Sequence, residues 1–165
     1  MSKTDFFSPG KSVIEVAPMR RFQSLCLAQP SMRYTSFDLE RHAMQKGDIT
    51  KMHFADASAD FFVCFHVLEH IPDEKKALSE IHRVLKVGGV AVFQVPIDWT
   101  VAATYEYPAP NPREVDHVRC YGRDFDQRLS QAGFKVTSHR ARDFADDEQR
   151  ARFGLSDEPI YLAAK

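Results

Sequence analysis

Short apolar runs separated by polar stretches set out the elements along this chain. Residues 13–16 (VIEV) are largely β-branched and stop at Pro18, which reads as a buried strand. Phe22, Leu25 and Cys26 share one face of a short helix over 20–28 that Pro30 ends. Residues 33–39 alternate into a second strand carrying Asp38, and the polar stretch 40–47 leaves room only for a brief strand near Asp48. An apolar, aromatic run at 59–65 follows, with His66, Glu69 and His70 at its C-terminal end. Pro72 and Asp73 open an amphipathic helix with Ala77, Leu78, Ile81 and Leu85 on one face, and Gly88-Gly89 should stop it before an apolar strand at 90–95. From Asp98 to His117 there are three prolines, Pro108, Pro110 and Pro112, and no regular period, which predicts a structureless segment serving as a lid or left disordered. Helical spacing returns at Phe125, Leu129 and Ala132 with Gly133 as cap. A strand at 134–136, a helix at 146–153 capped by Gly154 and a closing strand at 160–163 complete the chain. Strands and helices in this order predict an α/β fold, with a mostly parallel sheet covered on both faces and finished by an antiparallel last strand.

Composition narrows the class. At 165 residues and 44% hydrophobic content the chain can bury a core of its own, so residues 1–165 are expected to form a single domain. The 22 Lys+Arg nearly balance 23 Asp+Glu. No cationic surplus remains for phosphates or anionic lipid, so neither nucleic acid nor a membrane is an expected partner. Cys26, Cys64 and Cys120 form no C-x-x-C pair, which argues against a zinc knuckle or disulfide framework and for reduced thiols in a soluble cytoplasmic protein. No apolar run approaches the ~20 residues of a membrane span, and Lys3 and Asp5 interrupt any signal-like stretch at the start.

In an open α/β sheet, ligands bind beyond the carboxyl ends of the strands, which directs attention to Ala17-Pro18-Met19, Asp38-Leu39, Asp48-Ile49-Thr50, His66-Val67 and Asp98-Trp99. Asp38 follows Glu15 by about the ~20-residue interval at which an acid reaches ribose hydroxyls in nucleotide-binding units. The first turn has no G-x-G-x-x-G. A pyrophosphate needs glycine for close backbone approach, so NAD, FAD and ATP are disfavoured. A nucleoside without phosphates tolerates a bulkier turn, which points toward S-adenosylmethionine.

A resemblance supports that direction. Gly47-Asp48-Ile49-Thr50, the stretch from Asp60 through Phe65-His66-Val67-Leu68-Glu69-His70-Ile71-Pro72, and Leu85-Lys86-Val87-Gly88-Gly89 resemble the central motifs of class I S-adenosylmethionine-dependent methyltransferases. The resemblance implies a seven-stranded, Rossmann-like three-layer sandwich. It implies Asp38 with Leu39 at the ribose, Asp48 with Ile49 at the adenine, and Phe65, His66 and Val67 near the methionine end, with Glu15, Ala17 and Pro18, at the end of the first strand and the turn after it, also binding the cofactor. More narrowly, Val16-Ala17-Pro18, Asp116-His117-Val118-Arg119, Tyr121-Gly122 and Ala132-Gly133-Phe134 resemble a bacterial subgroup in which an Ala-Pro turn replaces the Gly-rich first motif. Compared with that subgroup the chain is expected to be N-terminally short, without a cover over its cofactor cleft.

Methyl transfer to a small-molecule acceptor depends mainly on alignment, with a base only where the acceptor must lose a proton. His117 and His70 are the expected catalytic candidates, with His66, Glu106 and Tyr121 as further acceptor-side groups and residues 98–117 as the substrate loop. His66-Val67-Leu68-Glu69-His70 also matches the H-x-x-E-H zinc pattern. It follows a strand and meets Pro72, leaving no long helix to present both histidines. No third ligand is evident either, so no metal is expected. The alternative to an enzyme is a catalytically degenerate module that binds the cofactor weakly or serves a partner. In that case an apolar sheet edge near Val13 would be covered by a second copy, giving a homodimer.

Overall fold

The computed structural model describes residues 5–40 and 43–165. Among the described residues, nine strands and four α-helices follow one another as β1 (Ser12–Val16), α1 (Arg20–Leu27), β2 (Arg33–Asp38), β3 (Gln45–Lys46), β4 (Ala59–Phe65), α2 (Glu74–Val84), β5 (Leu85–Gln94), β6 (Tyr105–Asn111), β7 (His117–Cys120), α3 (Phe125–Gln131), β8 (Lys135–His139), α4 (Asp147–Phe153) and β9 (Ile160–Ala164). Seven of the strands form one sheet in the order β3-β2-β1-β4-β5-β9-β8, and β6 and β7 form a separate two-stranded sheet. Strands β1 to β5 pair in parallel, whereas β9 runs antiparallel to both β5 and β8.

Side-chain alternation along the strands divides the core between the two faces of the sheet. Ile14, Val16, Phe37, Phe62, Cys64 and Phe93 face Ala77, Leu78 and Ile81 of α2 and Phe125 and Leu129 of α3. Val13, Tyr34, Phe61 and Val63 face Cys26 of α1 and Phe6 on the other side, with Phe22 packed against them. The apolar positions read from sequence in α2 and α3 are therefore those that bury, whereas in α1 Cys26 is buried and Leu25, expected on the same face, is 56% exposed. Asp73 caps α2 by accepting the Lys76 N–H at 2.9 Å, and Asp146 caps α4 through Gln149 at 2.8 Å.

Four expectations need correction. Helix α2 ends at Val84, because Leu85 is already extended and β5 begins there. Gly88-Gly89 therefore lies inside a strand, where a Cβ on Gly89 would stand 3.1 Å from the Ala59 and Asp60 carbonyl oxygens of β4. The segment 98–117 is not structureless, since its second half is strand β6, paired with β7. Prolines fit there because the ladder is irregular between Glu106 and Asn111 and leaves their missing donors unneeded. Its first half is anchored: Thr104 donates to Asp124 through N–H and hydroxyl at 2.8 and 2.6 Å, and Asp98 N–H reaches the Tyr121 carbonyl at 2.9 Å. Finally, β1 is internal to the sheet and Val13 is 1% exposed, so no apolar edge near Val13 calls for a second copy. Among the described residues, no helix is long and apolar enough to cross a membrane.

Candidate functional site

The carboxyl ends of β1, β2 and β4 and the turn before Thr50 enclose a cleft of about 100 Å³. Ala17, Asp38, Leu39, Asp48, Ile49 and Val67, all expected from sequence, line it together; Val16, Gly47 and Ile71 complete the wall. Ala17 has φ 48°, the left-handed region that glycine favours, and its N–H donates to Phe37 O at 2.9 Å. The turn thus keeps a glycine-like path without glycine, at a cost of about 1–2 kcal/mol. Asp38 and Asp48 each accept a backbone N–H two residues on, from Glu40 at 2.8 Å and Thr50 at 2.7 Å, which fixes both carboxylates in Asx turns. Gly47 sits where a Cβ would come within 3.2 Å of the Phe37 ring.

Helix α2 holds the segment that follows Ile49. Arg83 donates to the carbonyls of Phe54 and Met52 at 2.8 and 3.1 Å and to Asp56 at 2.6 Å, while Glu80 accepts the Met52 N–H at 2.8 Å. The Arg83–Glu80 pair itself closes at 2.7 Å. Helical spacing puts Glu80 and Arg83 off the apolar face of α2, and nothing in that spacing announces the loop they hold.

Other expected residues stand outside the cleft wall. Glu15 is buried, and its carboxylate accepts the Met19 N–H at 3.0 Å and the Tyr34 hydroxyl, so it serves the start of α1. Burial pushes its pKa up, opposed by those two bonds. Phe65 points to the α1 side, 6.1 Å from the Phe22 ring, because it alternates with Cys64. Half-buried Pro18 follows Ala17 and has no N–H to offer a ligand. His66 takes φ 53°, donates its N–H to Gln94 O at 2.9 Å and turns its Nδ1 toward Glu69 at 3.4 Å. That contact raises its pKa, against the effect of burial.

Beside the cleft, Leu68–His70 form a 3₁₀ turn between Val67 and Ile71, two of the wall residues. There the imidazoles of His70 and His117 meet edge to face, 4.8 Å between centroids, although 47 positions separate them in the chain. Burial lowers the His70 pKa, and the neighbouring His117 adds to this while Glu69 opposes it. Strand β7 brings His117 to this turn through Arg119, which is 1% exposed. Its guanidinium donates to the carbonyls of Leu68, Ile71 (2.7 Å) and Pro72 (3.1 Å) and pairs with Glu106 at 3.0 Å. Glu106 is thereby committed to Arg119. Tyr121, also fully buried, donates to Glu74 at 2.7 Å, and Arg128 pairs with the same carboxylate. Glu106 and Tyr121, expected as acceptor-side groups, are thus each engaged in ion pairs or hydrogen bonds within the protein, Glu106 with its side chain 55% exposed. Arg119 was missed because a single charged residue in an alternating strand carries no sequence signal of burial.

A larger concavity of about 470 Å³ lies between α2 and α3, lined in part by Leu78, His82 and Arg128. It is formed by helices on the outside of the sheet, away from the strand ends where α/β ligands bind. The smaller cleft has the better chemistry. Two fixed carboxylates beside apolar Leu39, Ile49 and Val67 suit the hydroxyls and base of a nucleoside. Its volume, below the ~300–1,000 Å³ of whole-ligand pockets, matches a base-sized group with the remainder of the ligand along open surface.

Comparison with known proteins places the chain among methyltransferases. Residues 14–93 match the methyltransferase domain family. A probable S-adenosylmethionine-dependent methyltransferase of Mycolicibacterium smegmatis is 30% identical over 115 residues, which are 70% of this chain and 42% of that protein. Thiol S-methyltransferase TMT1B of Rattus norvegicus is 34% identical over 88 residues, 53% of this chain and 35% of that protein. The chain thus spans less than half the length of these curated relatives. Among solved structures, 1,6-didemethyltoxoflavin-N1-methyltransferase of Burkholderia thailandensis, holding 1,6-didemethyltoxoflavin and S-adenosylhomocysteine, superposes with a TM-score of 0.67 at 18% identity, over 94% of this chain and 71% of that one.

Proposed function

We propose that the chain is a class I S-adenosylmethionine-dependent methyltransferase that transfers a methyl group from S-adenosylmethionine to a small-molecule acceptor. The observation that carries this reading is the convergence of Asp38 and Asp48 with Leu39, Ile49 and Val67 in one cleft at the strand ends. Asp38 receives the ribose hydroxyls, and Asp48 with Ile49 holds the adenine. Ala17 and Val67 shape the passage toward the methionine end, with Pro18 and His66 at its margin. Bound there, S-adenosylmethionine supplies an electrophilic methyl group on a sulfonium. What the chain adds is alignment, which supplies most of the acceleration in a displacement of this kind.

His70 and His117 are the acceptor-side groups: neutral imidazoles can hold a hydroxyl or amine and take up its proton. The β6–β7 hairpin forms the substrate side of the site, with Tyr105 half-exposed on it. A small-molecule acceptor is supported by the Burkholderia enzyme, which holds one. Free, buried Cys26 and Cys64 suit a reducing, cytoplasmic setting.

The test is acceptor-dependent release of S-adenosylhomocysteine. The chain is incubated with S-adenosylmethionine and a panel of small phenols, amines and thiols, and the product is quantified. Release that rises with one acceptor class and falls about 100-fold or more in His117→Ala, the range general acid–base groups contribute, supports the assignment. Release at the buffer rate with every class counts against it.

A further inference from the structure

We propose that Glu69, His70 and His117 form a binding site for one divalent transition-metal cation of the zinc or cobalt type. Each of the three offers a ligand atom, and these atoms all lie within 4.8 Å of one another. Two imidazoles and one carboxylate are the ligand set of catalytic zinc and of related three-ligand sites that keep positions open. Zinc bonds of about 2.0–2.2 Å ask the three groups to close further on binding. The H-x-x-E-H turn was set aside in sequence for want of a long helix and of a third ligand; the cluster draws on its Glu69 and His70 but not His66, and strand β7 adds His117.

A second observation points to a missing cation. Glu69 is 1% exposed, and its Oε2 is buried without a hydrogen-bond partner. Its other oxygen faces His66 Nδ1 at 3.4 Å, so half of the carboxylate is left unmatched. A buried acceptor in that state costs about 1–3 kcal/mol, more if charged, and a native structure retains few of them. A cation held jointly with His70 and His117 would remove that cost.

The surroundings suit ligation. Arg119 clamps three carbonyls of the turn that carries Glu69 and His70, so the backbone under both ligands is fixed. Behind His117, Glu114 Oε2 lies 3.6 Å from Nδ1, the place of the outer carboxylate that orients many metal-bound histidines. Val67 and Ile71, on either side of the turn, line the cleft, so the cation would sit beside it. A role in polarising an acceptor oxygen rests on the methyltransferase reading; the binding of the cation does not.

The experiment uses the full chain freed of metal by a chelator and titrated with Co²⁺, which reports ligation by its visible absorption. The expected result is one Co²⁺ per chain, displaced by Zn²⁺, with a band free of thiolate charge transfer and unchanged in Cys120→Ser. Affinity should fall in His117→Ala and in Glu69→Gln by more than the roughly 10–100-fold that outer-shell changes cost. Should Glu69→Gln fold poorly, His117→Ala, altered on a half-buried strand, decides alone. No visible band, or binding that survives His117→Ala or disappears with Cys120→Ser, overturns the site. S-adenosylhomocysteine affinity is measured on the same samples. Its absence with Co²⁺ binding intact defeats the methyltransferase reading and leaves the metal site standing.

Discussion

Arg119 and Ile71 meet across 48 positions of sequence, the guanidinium donating to the Ile71 carbonyl at 2.7 Å. This contact couples the β6–β7 hairpin to the turn that both walls the cleft and carries His70. Removing the guanidinium leaves three carbonyls without their donor in a buried setting. Arg119→Met is therefore expected to cost about 3 kcal/mol, a fall in Tm of roughly 6–12 °C for a domain of this size. Arg119→Lys, which cannot span the fork, should recover little of it. Thermal unfolding of the two variants checks this; a Tm within about 2 °C of wild type would show that the clamp is dispensable.

Ala17 makes the opposite kind of prediction. Replacing alanine by glycine inside an element ordinarily costs about 0.5–1 kcal/mol. Here φ is 48°, and relief of left-handed strain of about 1–2 kcal/mol offsets that entropy. Ala17→Gly is expected to leave stability unchanged or raised by up to about 1 kcal/mol, read by urea denaturation. A clear loss of stability would mean that the turn is not strained at this residue.

Gly122 packs where no side chain fits. A Cβ would stand 2.7 Å from the Ala103 carbonyl carbon and 3.0 Å from the Ala103 nitrogen, both backbone. Gly122→Ala should destabilise by roughly 1–3 kcal/mol, as overpacking does, and should loosen the 98–104 segment first. Hydrogen exchange at Asp98 and Arg123, whose N–H groups bond to Tyr121 O and Val101 O at 2.9 and 3.0 Å, reports the loosening directly. Unchanged protection at both would contradict the packing.

The two histidines of the turn should titrate apart. Glu69 raises His66 above 6.5 and burial lowers His70 below it. For His66 the stabilising contribution is complete below pH 6.5 and disappears as pH rises through its raised folded value. For His70 the folded state favours the neutral ring, so its contribution is present above pH 6.5 and is lost as pH falls toward its lowered value. Imidazole resonances followed by NMR in metal-free buffer should place the His66 midpoint above that of His70. In Glu69→Gln, His66 should return toward 6.5. The reverse order would invalidate the assigned environments.

Local patterns in the sequence carry most of the fold. The apolar runs of β1, β4 and β5 and the helical spacing of α2 and α3 each need only a few neighbouring residues to be read, and all five elements are present, with the α2–β5 boundary at Val84–Leu85 instead of at Gly88-Gly89. Strand β6 was illegible because Pro108 and Pro110 within it and Pro112 directly after it interrupt the pattern by which a strand is read, and its partner β7 lies beyond a turn in which Val115 and Asp116 both take positive φ. Within the site, Asp38 and Asp48 could be read because strand ends are local features. Glu15 and Phe65 could not be excluded from the cleft without knowing which face each meets. The buried pairs Arg119 with Glu106 and Arg128 with Glu74 join distant segments, and no spacing rule announces them.

The cleft's assignment to a sulfur nucleoside is tested most directly by calorimetric titration of the purified chain with S-adenosylhomocysteine, with NAD as control, repeated on Asp38→Ala. A methyltransferase cleft built as described binds S-adenosylhomocysteine at one site per chain and does not bind NAD. Loss of the ribose contact at Asp38 then weakens it by about 10-fold or more, the value of 1.4 kcal/mol or above for hydrogen bonds to a charged group. No heat of binding with S-adenosylhomocysteine, or equal affinity in the Asp38→Ala chain, would contradict it.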